Sequence, residues 1–89
     1  MTGLRMAEGV AWTVESTGVL VLSTQHQARL LTDLEAAAWD LIARGDSPGQ
    51  AAAKLATIGG IGSQEAGSAL HFWLREWTAV GWLEEAGDG

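Results

Sequence analysis

The sequence predicts an α+β chain, with a three-stranded antiparallel sheet followed by three helices. Three observations predict it. Residues 10–31 hold short alternating or apolar runs separated by polar turns. Residues 32–45 hold an alanine-rich helical stripe that ends at a glycine. Ser47-Pro48 and Ser63 then open two more helices. The order β-β-β-α-α-α is the outline of a small winged helix-turn-helix.

The strands come first. Val10-Ala11-Trp12-Thr13-Val14-Glu15 alternates, which places Val10, Trp12 and Val14 on one face of a strand. Ser16-Thr17-Gly18 is a turn signal. Val19-Leu20-Val21-Leu22 is apolar throughout, as in a strand covered on both faces or central in its sheet. Residues 23–27 read as a second turn and Ala28-Arg29-Leu30-Leu31 as the third strand.

The helices follow. Thr32-Asp33-Leu34-Glu35 fits a capping box, with Thr32 capping backbone N–H groups and Glu35 returning to the cap. Leu34, Ala37, Ala38, Leu41 and Ile42 behind it have the spacing of a buried stripe, with Trp39 off it, and Gly45 is the stop. Ser47-Pro48-Gly49-Gln50 starts a short second helix through Ala56, with proline at the first helical position. Residues 59–62 are too glycine-rich to sustain it. Ser63 caps a third helix over residues 64–80, whose buried stripe is Ala66, Leu70, Trp73, Leu74 and Trp77. Gly81 ends it. Residues 1–9 are expected to be a flexible tail, 10–84 the folded domain and 85–89 a second flexible tail.

Composition limits the function. The 89 residues make one domain, and a chain this short has no room for a separate catalytic lobe. Net charge is −6, which repels phosphate backbones and argues against a nucleic-acid partner. The absence of cysteine excludes disulfides, thiolate nucleophiles and most zinc sites. No apolar run approaches a membrane span, and residues 1–9 lack a signal-peptide core, so the chain reads as soluble, cytoplasmic and without a membrane partner. His26 and His71 have no converging ligands, so no metal is expected. The serines and carboxylates are dispersed as turn, cap and surface residues. The 59–62 loop lacks the lysine of a phosphate-binding loop. No cofactor and no catalytic constellation are expected.

The layout resembles the PqqD-like family, the RiPP recognition elements, which are small winged-helix-like domains that bind the leader region of ribosomally made peptides. The resemblance rests on Gly18-Val19-Leu20-Val21-Leu22 leading through a polar turn to Ala28-Arg29-Leu30-Leu31. It rests also on Ala36-Ala37-Ala38-Trp39-Asp40-Leu41-Ile42 followed by Gly45, on Leu55, and on the ending Trp73-Leu74, Trp77 and Gly81-Trp82-Leu83. It spans residues 10–84. The family's third strand usually carries aromatic residues and leads into an asparagine, where this chain has Ala-Arg-Leu-Leu and Thr32-Asp33.

The resemblance implies a non-enzymatic module whose third strand, Ala28, Arg29, Leu30 and Leu31, takes the leader as an added strand beside the third helix. It implies a maturation enzyme as second partner, either a radical S-adenosylmethionine enzyme or a leader protease. Helical spacing places Phe72 away from the buried stripe, with Ala69 and Glu76 on the same flank and Trp73 at its border. Ala69, Phe72, Trp73 and Glu76 are therefore the expected groove wall. Arg29 is a candidate contact for an acidic leader residue. Two rival readings remain: a winged-helix DNA-binding regulator, for which the third helix carries only Arg75 against Glu65 and Glu76, and a dimerisation scaffold that uses the free strand edge.

Overall fold

A computed structural model describes residues 3–23 and 28–86. The elements are β1 (Gly3–Met6), β2 (Ala11–Glu15), β3 (Gly18–Leu22), β4 (Ala28–Leu31), α1 (Asp33–Ala43), α2 (Pro48–Gly59), α3 (Ser63–Ala79) and β5 (Leu83–Ala86). β2, β3 and β4 form an antiparallel sheet in chain order, and the three helices follow. The α+β class read from the sequence is the observed one. The turn expected around His26 lies outside the described residues.

β3 is central because it is the strand that is apolar at every position. Val19 and Val21 point inward with Leu31 of β4, and all three are buried. Leu20 pairs with Leu30 on the opposite face, where Leu30 is 44% exposed. β2 is an edge strand exposed along its length. Val14 therefore stands in solvent despite its alternating pattern, and Trp12 is only partly covered.

β1 and β5 correct the expectation of unpatterned ends. Gly3–Met6 pairs antiparallel with Leu83–Ala86, and Arg5 Nε bonds Glu84 Oε1 at 3.0 Å. The Ala7 N–H donates to the Trp82 carbonyl at 2.9 Å. Four residues carrying an arginine have no periodicity of their own. Their partner lies at the other end of the chain, so local pattern does not reveal the pairing.

α1 enters differently from the capping box read in the sequence. Thr32 makes no side-chain cap, and Asp33 has φ 56°, a left-handed value that side chains other than those of Asn and Asp rarely adopt. Glu35 is drawn away to other partners. Asp33→Val is therefore expected to cost about 2 kcal/mol and Asp33→Asn close to nothing, which urea unfolding of the two variants measures. α2 does close with a capping box: Ser47 Oγ accepts from the Gln50 N–H and Gln50 Oε1 from the Ser47 N–H. It runs three residues past Ala56 and stops at Gly60 in a left-handed turn. α3 ends before Gly81, at φ 86°.

The core lies between the sheet and the helices. α1 packs on β3 on one side and on α2 on the other, and α3 lies against α2 and β5. Because α1 is covered on two sides, its burial is wider than one stripe. Ala36, Ala38, Trp39 and Ile42 are buried, whereas Leu34, Ala37 and Leu41 are half-buried. Trp39, off the expected stripe, is fully buried at the centre. Its ring meets those of Trp77, Trp82 and Trp12 edge to face, with centroids 5.1, 5.6 and 6.0 Å away. Its indole N–H has no acceptor among the described residues, a cost of about 1–3 kcal/mol. Three such ring contacts, at about 0.5–1.5 kcal/mol each beyond area burial, offset it.

Candidate functional site

β4 hydrogen-bonds to β3 along one edge only, and among the described residues no strand occupies the other. An open edge presents unpaired N–H and C=O groups at strand spacing, which an extended chain satisfies by adding as a further strand. The edge is short and carries one charge, Arg29. Both features discourage pairing between copies.

The side chains of β4 divide by register. Arg29 pairs with Val21 and Leu31 with Val19, so both face the helices, whereas Ala28 and Leu30 face outward. Leu31 is fully buried and offers only its main chain. Arg29 is half-exposed and held in place. Its Nη2 donates to Glu35 Oε2 at 3.0 Å, and its guanidinium lies 5.5 Å from the centroid of the Trp82 ring. The Trp77 Nε1–H donates to the same Glu35 oxygen at 3.2 Å. One carboxylate thus ties β4 to α3 through α1. The pair with Arg29 is partly shielded, with the Glu35 side chain 18% exposed, so it outlasts salt better than a surface pair does.

The sequence reading missed Glu35, Trp77 and Trp82 as members of this site. Glu35 is read there as a helix cap, and that role is indistinguishable in sequence from a bridge to a strand six residues earlier. On α3, Ala69 and Trp73 are half-buried, Glu76 is exposed and Phe72 is 61% exposed. Phe72 therefore lies outside the core, as the spacing requires. Phe72 and Glu76 line a hollow with Ser68, His71, Arg75 and Ala79, and no described β4 residue lines it. The structure brings Arg29 of β4 to Trp77 and Trp82, and sets Phe72 and Glu76 on the outward side of the same helix. Glu65, Arg75 and Glu76 alternate in sign there, which gives no basic face for a phosphate backbone. Among the described residues no group of histidines and carboxylates converges as metal ligands do, and no helix is long and apolar enough to cross a membrane.

No family model and no curated protein matches the chain in sequence. Solved structures do match in fold. Lasso peptide synthetase B1 complexed with the leader peptide superposes with a TM-score of 0.83 at 16% identity, covering 92% of this chain and 98% of that one. TbiB1 in complex with the TbiA(beta) leader peptide superposes with a TM-score of 0.85, also at 16% identity, covering 94% and 99%. Identity this low establishes shared architecture alone. Both superpose over nearly their whole length, so the chain has their fold.

Proposed function

We propose that this chain binds the leader region of a ribosomally made precursor peptide by adding it as a strand to β4, and presents the remainder to a modifying enzyme. The observation that carries the reading is the unpaired edge of β4, with Arg29 fixed beside it by Glu35 and Trp82. The main chain of Ala28, Arg29, Leu30 and Leu31 supplies affinity. Side chains supply selection: Arg29 from the strand, and Ala69, Trp73, Phe72 and Glu76 from α3. Both fold neighbours carry a leader peptide in their structures, which supports the class of ligand.

The chain performs no chemistry in this reading. It acts by tethering, because a bound leader raises the effective concentration of the attached substrate segment at the enzyme. A radical S-adenosylmethionine enzyme or a leader protease fits that role. The setting is the cytoplasm, in keeping with a chain that has no cysteine.

Calorimetry with a synthetic leader tests the reading, taken from a precursor gene adjacent to this one. A micromolar or tighter dissociation constant is expected, with no heat from the scrambled sequence. Phe72→Ala is expected to weaken leader binding about tenfold or more while the melting temperature stays within about 2 °C, as for an exposed position. Equal binding of leader and scrambled peptide contradicts the proposal.

A further inference from the structure

The β2-β3-β4 sheet has a second edge that the reading above does not use. It is the outer side of β2, at the far end of the sheet from β4, and no described strand occupies it. Every residue of β2 is exposed, Val14 at 67%, so no helix covers this edge. An open hollow lined by Val14 with Ala36 and Ala37 lies between β2 and α1.

The hairpin fixes which groups this edge offers. Ser16-Thr17 is a two-residue turn, closed by the pair Glu15↔Gly18, and a closing pair of that kind exchanges both main-chain hydrogen bonds. Alternation then commits the N–H and C=O groups of Ala11, Thr13 and Glu15 to β3 and turns those of Trp12 and Val14 to the open side. β4 carries Arg29 inside its edge, which guards it against a second copy. β2 has a single charge, Glu15, at its end, and Trp12-Thr13-Val14 between is uncharged.

We infer that β2 pairs antiparallel with β2 of a second copy of this chain, about a two-fold axis at Thr13. In this register Trp12 and the partner's Val14 exchange hydrogen bonds through the groups they turn outward, twice by symmetry. Thr13 meets the partner's Thr13 at the axis. Aromatic with β-branched, and threonine with threonine, are cross-strand pairs that stabilise a ladder. Each Glu15 stands opposite the partner's Ala11, and the two carboxylates lie about 13 Å apart along the strands, beyond the screening length of about 8 Å. A slip of two residues leaves part of β2 unpaired and sets either Glu15 against Thr13 or Trp12 against itself. The product is a six-stranded sheet with a β4 edge at each outer end, so the dimer holds two leaders. The seam is short and each copy carries −6, so the dimer is weak and salt strengthens it.

Sedimentation equilibrium of the full chain tests it. The mean mass is expected to climb from the monomer's 9.3 kDa toward twice that between about 10 μM and about 1 mM protein, and further as NaCl rises from about 0.05 to about 0.5 M. Thr13 is exposed and can be changed without touching the core. Thr13→Lys and Thr13→Glu each set like charges together at the axis and are expected to be monomeric, whereas their equimolar mixture sets opposite charges there and is expected to restore the dimer. Thr13→Lys makes the net charge less negative, so overall repulsion does not explain a loss. Val14→Pro removes only an outward N–H and is expected to be monomeric with its circular dichroism unchanged. Failure of the leader proposal leaves these masses standing. The inference is overturned by a wild-type chain that stays monomeric at about 1 mM protein in about 0.5 M NaCl, by a dimer that Thr13→Lys leaves intact, or by a mixture of the two charged variants that does not associate. A dimer that the leader dissociates assigns β2 to the leader and overturns it as well.

Discussion

Trp39→Ala is expected to unfold the chain or bring it to the edge of unfolding at 25 °C. Trp39 is fully buried and three other tryptophans pack on it edge to face. Removing a buried indole costs about 3–5 kcal/mol through lost transfer energy and the cavity left behind. A domain of this size has about 4–13 kcal/mol in total, so the loss is a large share of it. The near-UV circular dichroism of the four coupled rings should collapse with it. Trp39→Phe keeps most of the volume and should retain a cooperative, weaker transition. A urea midpoint for Trp39→Ala equivalent to less than about 1 kcal/mol of loss would show that the ring cluster is not the centre of the core.

Gly18→Ala is expected to be nearly as severe. Gly18 opens β3 at φ 153°, and a Cβ there would fall on the carbonyl oxygen of Leu31. The obstacle is backbone at the end of β4, which no rotamer change relieves. Strain and displacement together should cost about 3 kcal/mol or more. The damage is directed, because Leu31 closes the open edge. Leader affinity per folded molecule should fall along with stability. Gly67→Ala is the control: it lies inside α3 with open space around it and should stabilise by about 0.5–1 kcal/mol. Equal, small effects for the two variants would refute the close approach of Gly18 to β4.

These two positions also show what the sequence reveals. The four apolar residues Val19–Leu22 announce a central strand, and Ser47 with Gln50 announces a helix start. Both are local statements, and both are found in the structure. Trp39 falls off the stripe because a one-sided helical wheel assumes one partner surface, whereas α1 has the sheet on one side and helices on the other. Trp12 and Val14 alternate correctly, yet β2 is an edge strand and the pattern does not say what covers it. Thr32 and Glu35 have capping-box spacing, but the left-handed Asp33 changes the geometry and Glu35 turns to Arg29 and Trp77. β1 and β5 depend on a partner 79 positions away, across the Arg5–Glu84 pair. The open edge was legible as strand order. The tie between that edge and α3 was not, because it runs through a residue with another plausible role.

The central claim is that an extended leader pairs by its main chain with β4. A strand has one face of N–H groups toward its neighbour and the next toward solvent, alternating residue by residue. A set of leader peptides, each N-methylated at one position, reads this directly while leaving the protein untouched. The account predicts a period of two, in which methylation at every second position of the paired stretch weakens binding at least about tenfold and the positions between are tolerated. Binding that is indifferent to N-methylation, or lost without alternation, would contradict it.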